Sequence, residues 1–310
     1  MPALICGSLA YDTIMVFPDQ FKNHILPDKV HILNVSFLVP RMRREFGGCA
    51  GNIAYNLKLL GGDPIPMATV GQDFGPYREY FEELDIPLAQ VKEIPELFTP
   101  QAFITTDLDN NQITAFHPGA MMRSYENHVR DVPGVTIGIV SPDGYEGMLQ
   151  NAKEFAETGI PFIFDPGQAM PLFNGAELRA FIEQADYVTV NDYESNLLQE
   201  RTGWSEQEIA GKVKAYIATR GPKGAMIHAD GKTWDVPPAH ERRVTDPTGC
   251  GDAFRAGLIF GIEKGCDWLT IGRIGNLMGA LKVEHPGTQN QRFDYEEFNE
   301  QFKQQFGYAL

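Results

Sequence analysis

A chain of 310 residues with 43% apolar content can form one large α/β domain or two smaller ones around a real core. Its formal charge of −15 excludes a broad electrostatic grip on nucleic acid or an anionic membrane; an anionic substrate would need local positive potential from helix ends, a few basic side chains or a metal. Cys6, Cys49, Cys250 and Cys266 have no CxxC spacing, and the N-terminal MPALICGSLAYD lacks the features of a signal peptide or membrane span, so reduced thiols in a cytoplasmic protein are expected.

In chain order, Ala3–Cys6 reads as the first buried strand. A helix starts near Gly51, with Ile53, Leu57 and Leu60 on one face. Val135–Val140 is the next buried run, followed by a helix over about Tyr145 to Glu157. Phe162–Phe164, Tyr187–Val190 and Tyr216–Ala218 are further short strands, and Ser205 with Glu208 forms a capping-box pattern at a helix start. Strand and helix in alternation predict an α/β fold with a mostly parallel central sheet flanked by helices, and no linker divides residues 1–310. Two regions interrupt the pattern. Residues 11–46 mix proline, charge and β-rich pieces such as HILNVSFLV. Residues 99–118 read as a hairpin, FITTD then QITAF, turning through Asp109-Asn110-Asn111. Both are assigned to a small β-sheet lid over the main sheet.

Polar residues follow the buried runs: Ser8 and Asp12, then Asp165, Gly167 and Gln168, then Asn191 and Glu194, then Thr219 and Gly221. Ligands of open parallel sheets bind at the carboxyl ends of strands, so this recurrence predicts one shared cleft. The stretch DPTGCGDAFRAG, Asp246 to Gly257, adds a glycine turn ahead of a helix, a cradle of N–H groups for an anion. Asp252 in that cradle has two readings: an ordinary first-turn helix acid, or a carboxylate that takes the proton of a hydroxyl attacking a phosphoryl group held by the amides. The following helix carries a narrow face, Ala253, Gly257 and Gly261, suited to close packing on the sheet. A dinucleotide fingerprint fails at Phe254, and a Walker A loop ending in Gly231-Lys232-Thr233 fails at Met226.

DPTGCGDAFRAG resembles the C-terminal signature of the ribokinase-like, or PfkB, carbohydrate kinases, and GGCAGNIAYNLKLLGG, Gly47 to Gly62, their N-terminal signature. NDYE (Asn191–Glu194) is similar to the family's N-x-x-E motif and TRGPKG (Thr219–Gly224) to its nucleotide loop. These motifs stand in family order across nearly the whole chain. Within the family, GSLAYD, LPDK followed by SFLV, PGAM (Pro118–Met121), TGWSE and the arginine of DAFRAG resemble the bacterial type of adenosine kinase.

The resemblance implies a ribokinase-like fold, ATP as donor and Mg²⁺. It makes Asp252 the catalytic base and Gly249, Cys250 and Gly251 the anion hole. Asp12, Gly48 and Asn52 would bind sugar hydroxyls, with Ser8 and Ser36 nearby. Phe103 and Phe116, on the two arms of the hairpin, would sandwich a nucleobase, and Gln168 would lie near the substrate. Asn191, Thr219, Gly221 and Gly224 would surround ATP, and Glu194 would hold magnesium through water. Asp246 and Thr248 match part of a monovalent-cation loop, implying K⁺, or else they are ordinary turn chemistry. The implied reaction is phosphorylation of the 5′-hydroxyl of adenosine in purine salvage. Two alternatives stay open: a kinase for ribose, fructose or a related ketose, and a catalytically silent nucleoside sensor. Neither nucleic acid nor membrane is expected as a partner; a homodimer through the lid is compatible with the resemblance.

Overall fold

The computed structural model describes residues 1–25, 34–109 and 111–310. Its strands are β1 (Pro2–Cys6), β2 (Ala10–Val16), β3 (Arg41–Gly47), β4 (Asp63–Gly71), β5 (Val91–Ile94), β6 (Gln101–Thr106), β7 (Gln112–His117), β8 (Ile137–Val140), β9 (Phe162–Phe164), β10 (Tyr187–Asn191), β11 (Ala215–Thr219), β12 (Ala225–Ala229) and β13 (Lys232–Val236). The α-helices are α1 (Cys49–Leu59), α2 (Gly75–Glu83), α3 (Tyr145–Thr158), α4 (Gly175–Gln184), α5 (Asp192–Thr202), α6 (Glu206–Ala210), α7 (Cys250–Glu263), α8 (Trp268–Val283) and α9 (Tyr295–Phe306).

Nine strands form the large sheet in the order β13-β12-β11-β10-β9-β8-β1-β4-β5. It is parallel from β5 to β11 and antiparallel only at β12 and β13. The strands expected from short apolar runs all belong to it. Successive side chains of a strand point to opposite faces, and the core divides accordingly. Ala3, Ile5, Ile137, Ile139 and Ile217 pack with α1, α7 and α8 on one side. Leu4, Cys6, Val140, Phe162, Phe164 and Val190 pack with α3, α4 and α5 on the other. Burial on both faces explains why these strands read as continuous apolar runs rather than alternating ones.

A second sheet of four strands, ordered β3-β2-β6-β7, stands apart from the first. β2 pairs antiparallel with β3 and parallel with β6, and β6 and β7 form the expected hairpin. The β-rich reading of HILNVSFLV is corrected: residues 34–40 contain no strand, although Phe37 packs against Phe17 and Phe21. The LPDK motif, the residues HIL of that piece and Asn110 lie outside the described residues. A second correction concerns α7. Its narrow face meets α8 rather than the sheet: a Cβ on Gly257 would lie 2.9 Å from the Gly275 Cα, and one on Gly261 would lie 2.9 Å from Ile271.

Candidate active site

The carboxyl ends of β9, β10 and β11 open onto a cleft of about 450 Å³, closed on one side by the N-terminus of α7. It brings together Gly249, Gly251, Asp252, Asn191, Glu194 and Thr219 from distant parts of the chain. Gln168, solvent-exposed, and Gly221 also line it. A neighbouring cavity of about 320 Å³ shares Thr219, Gly221 and Gly251 and adds Gly224 and Cys250, between otherwise largely apolar walls such as Pro238, Val244 and Phe254.

Gly249 precedes α7 in the left-handed region, φ 80°, where a side chain is disfavoured and a Cβ would also press on Thr288 at 3.0 Å. The turn therefore needs glycine, and it aims the first N–H groups of α7 at the cleft with the positive end of the helix dipole. Asp252 lies in the first turn of α7, half-buried. Its Oδ2 accepts from Asn52 Nδ2 at 2.8 Å. Burial pushes its carboxyl up to about 7, while the Asn52 bond and the Arg255 charge pull the other way. Asn52 Oδ1 in turn accepts from Gln289 Nε2 at 3.0 Å, and that amide also reaches the Tyr77 hydroxyl at 2.7 Å. A carboxylate poised near neutrality and oriented by a fixed amide has the properties of a general base.

One turn further along α7, Arg255 is buried and forks onto Asp165, with Nε and Nη2 each 2.8 Å from a carboxylate oxygen. Its Nη2 also lies 3.8 Å from Glu194. This guanidinium places a permanent positive charge beneath a cleft that is otherwise acidic. Glu194 and Asn191 form a reciprocal capping box at the start of α5: each accepts the other's backbone N–H at 2.8 Å. Burial raises the Glu194 carboxyl above its usual value, with Arg255 opposing. The Cys250 thiol is pushed up to about 11, chiefly by burial, so it stays protonated near neutral pH.

Of the sugar-binding candidates, Asn52 is the one in direct contact with Asp252. Ser8 Oγ accepts the Cys49 N–H at 3.2 Å, and its carbonyl accepts from Ala50 at 3.0 Å, so Ser8 fastens the first turn of α1. Gly48 enters that turn at φ 85°, where a Cβ would lie 2.4 Å from the Ser8 carbonyl oxygen. Asp12, on β2, lies against Gly47; burial, reinforced by Glu45 and Asp246, raises its carboxyl to about 6. Ser36 is exposed in the strandless segment and is not part of either cavity wall.

The two aromatics do not pair. The β6–β7 register sets Phe103 opposite Ala115 and Ala102 opposite Phe116, so Phe103 and Phe116 project from opposite faces of the small sheet. Through the β2–β6 register, Phe116 shares its face with Asp12, Ile14, Ala102 and Ile104, while Phe103 lies on the face of Thr13. A sandwich between the two rings is excluded in this arrangement, and only Phe116 stands on the side of the Asp12 carboxylate.

Asp246 and Thr248 lie in the loop that leads to Gly249. The Asp246 carboxylate accepts from Thr248 N at 2.9 Å and Gly287 N at 3.0 Å. Its carbonyl accepts from Lys282 Nζ at 2.7 Å. Sequence reasoning missed Lys282, Gln289 and the Arg255–Asp165 pair; each acts across more than thirty residues of chain or through a partner that no local pattern marks.

The pattern of a pfkB family carbohydrate kinase matches residues 11–293. The chain belongs to that family. A nucleoside kinase of Methanocaldococcus jannaschii is 32% identical to it over 83% of this chain and 85% of the relative. Among solved structures, the nucleoside kinase of Burkholderia thailandensis in complex with inosine is 54% identical, covers 99% of both chains and superposes with a TM-score of 0.90. The same protein in complex with ADP-inosine gives 55% identity over 99% of this chain and 97% of the other, with a TM-score of 0.88. The fold is thus ribokinase-like.

A pfkB family kinase uses ATP, typically with Mg²⁺, and the donor set of the cleft fits that ion. Mg²⁺ keeps several waters and needs only one or two carboxylates beside the phosphates. Glu194 lines the cleft as such a carboxylate, and among the described residues no cluster of three or more acidic, histidine or cysteine ligands is gathered for a metal held by protein alone.

Proposed function

We propose that the chain is an ATP-dependent nucleoside kinase that phosphorylates the 5′-hydroxyl of purine nucleosides, adenosine and inosine both serving as acceptors. The observation that carries this reading is Asp252: half-buried in the first turn of α7, raised to about 7, held at 2.8 Å by Asn52 and flanked by the glycine turn.

In this reading ATP lies with its base in the smaller cavity, near Gly224, and its phosphates over Thr219, Gly221 and Asn191. Glu194 would hold Mg²⁺ through water, and the bound ion would supply neutralisation of charge on the triphosphate. Asp252 takes the proton of the 5′-hydroxyl as the new bond from that oxygen to the γ-phosphorus forms. The bond from the γ-phosphorus to the β–γ bridging oxygen breaks, and ADP leaves. The amides of Gly249, Cys250 and Gly251 stabilise charge on the transferring group. Asp12 and Asn52 bind the ring hydroxyls, with Gly48 allowing close approach of the backbone; Ser8, Ser36 and Gln168 are further contacts of the acceptor.

The chain acts as a single kinase domain. Its small sheet is a lid that covers the acceptor, excludes water and protects ATP from hydrolysis. Phe116, on the Asp12 face, stacks on the base, and the apolar Ala102 and Ile104 of that face border it. The nucleoside kinases described above support a nucleoside over a free sugar. ADP release measured with adenosine, inosine, guanosine, ribose and fructose tests the proposal. Adenosine and inosine should exceed both sugars in kcat/KM by about a hundredfold, the loss of a stacked base and its contacts. Equal turnover of ribose would end the nucleoside reading in favour of a sugar kinase, and no turnover of any acceptor would favour a sensor.

A further inference from the structure

We propose that Lys282 is a tethered monovalent cation of this active site: its buried ammonium, seated on the backbone carbonyls of Asp246 and His285, holds the loop that shapes the Gly249–Gly251 turn and takes the place of a free alkali cation. The inference rests on the kinase reading and adds to it a positioning residue that makes the enzyme indifferent to potassium.

Lys282 lies in the last turn of α8 and is 0% exposed; among the described residues no other lysine is buried. A lysine that merely decorated a helix end would keep its ammonium in water, because burying a charge is costly unless polar groups compensate it. Here Nζ donates to the Asp246 carbonyl at 2.7 Å and the His285 carbonyl at 3.1 Å. One carbonyl comes from the loop before α7, the other from the loop after α8. Carbonyl oxygens converging from two loops are also the kind of seat that replaces the water shell of a large alkali cation. The C-terminal end of α8 adds its own negative potential. Burial lowers the ammonium's affinity for its proton, and the Asp246 charge opposes that shift.

The same two loops are joined a second time, on their N–H side. The Asp246 carboxylate bridges Thr248 N at 2.9 Å and Gly287 N at 3.0 Å. Thr248 precedes Gly249. Thr288 follows Gly287, packs where a Cβ of Gly249 would stand, and donates from Oγ1 to the Phe46 carbonyl of β3 at 2.7 Å. Moving the Asp246 carbonyl therefore moves the anion turn and the root of the small sheet together. The ammonium's field also reaches Cys250 and Asp252, so it adds to the positive potential at the turn.

The wild-type enzyme tests this directly. Turnover is measured with ATP, Mg²⁺ and the best acceptor while potassium chloride replaces choline chloride at constant ionic strength. The expected change in kcat is less than about twofold; a rise of fivefold or more overturns the proposal. Lys282→Ala in choline should lose about 10- to 100-fold in kcat, the scale of an ångström-sized misplacement transmitted to a reacting centre. Potassium or ethylammonium should restore much of that loss, and the same cations should raise the variant's Tm but not the wild type's. The Tm readout needs no acceptor, so it separates failure of this inference from failure of the nucleoside reading. A Lys282→Ala enzyme that stays fully active, or one that is impaired and answers to no added cation in either readout, refutes it. Should the variant not fold, the wild-type titration alone still decides.

Discussion

The carboxyl edge of the large sheet and the exposed face of the small sheet differ in how completely their side chains are fixed. Around Asp252 the polar groups are tied together: Asn52 to Asp252, Gln289 to Asn52, Arg255 to Asp165, Asn191 to Glu194. On the face of the small sheet that carries Asp12, Phe116 is 52% exposed. Groups that must act on a transferring phosphoryl are pre-set, because reorganising them during reaction would forfeit their electrostatic advantage. A surface meant to cover a flat acceptor has to leave apolar area uncovered until the acceptor arrives. In the proposed reading the contrast puts the chemistry in one region and acceptor choice in the other.

The strongest way to break that division is Asp252→Asn. It should lower kcat by about 10³-fold while nucleoside affinity, measured by calorimetry, changes little. Substantial residual turnover would remove Asp252 from the chemistry. On the other side of the contrast, Phe116→Ala should raise the nucleoside KM by about tenfold, the scale of one lost stacking contact, with kcat nearly unchanged. Phe103→Ala, on the opposite face, should leave KM within about twofold. Equal effects of the two substitutions would contradict the face assignment. The finest test is the pH profile. Asp252 must be ionised to act, so with its carboxyl raised to about 7, kcat/KM should fall on acidification below about pH 7. The Asn52 bond favours the ionised form, so Asn52→Ala should move that acid limb to higher pH. A limb that moves down or stays fixed would mean the titrating group is not Asp252.

Much of this architecture can be read from local pattern. β1, β8, β9, β10 and β11 announce themselves because both their faces are buried, and the polar residues after β9, β10 and β11 line one cleft, whereas Ser8 and Asp12 are not in its wall. β4 was not visible: Pro64 and Pro66 interrupt it, and only pairing with β1 shows that a strand can tolerate them there. β12 alternates buried and half-buried positions, and the edge strand β13 buries Val236 alone, a weaker signal than a continuous run. The aromatic pair failed for a definite reason. Which face a hairpin residue takes depends on register, and a shift of one residue inverts it. The observed register puts Phe103 against Ala115, one residue from the pairing that would have set the two rings opposite each other. Gln289 and Lys282 were illegible because their partners, Asn52 and Asp246, are chosen by tertiary packing alone.

The contact between Gly257 and Gly275 has a mechanical consequence. At that crossing the two helix backbones touch with no side chain between them. From there to the first residue of α7 is about two turns, roughly 10 Å. The crossing therefore works as a fulcrum with a short arm ending at the Gly249–Gly251 turn. A single added methyl at Gly257 would meet the Gly275 backbone and tilt the arm.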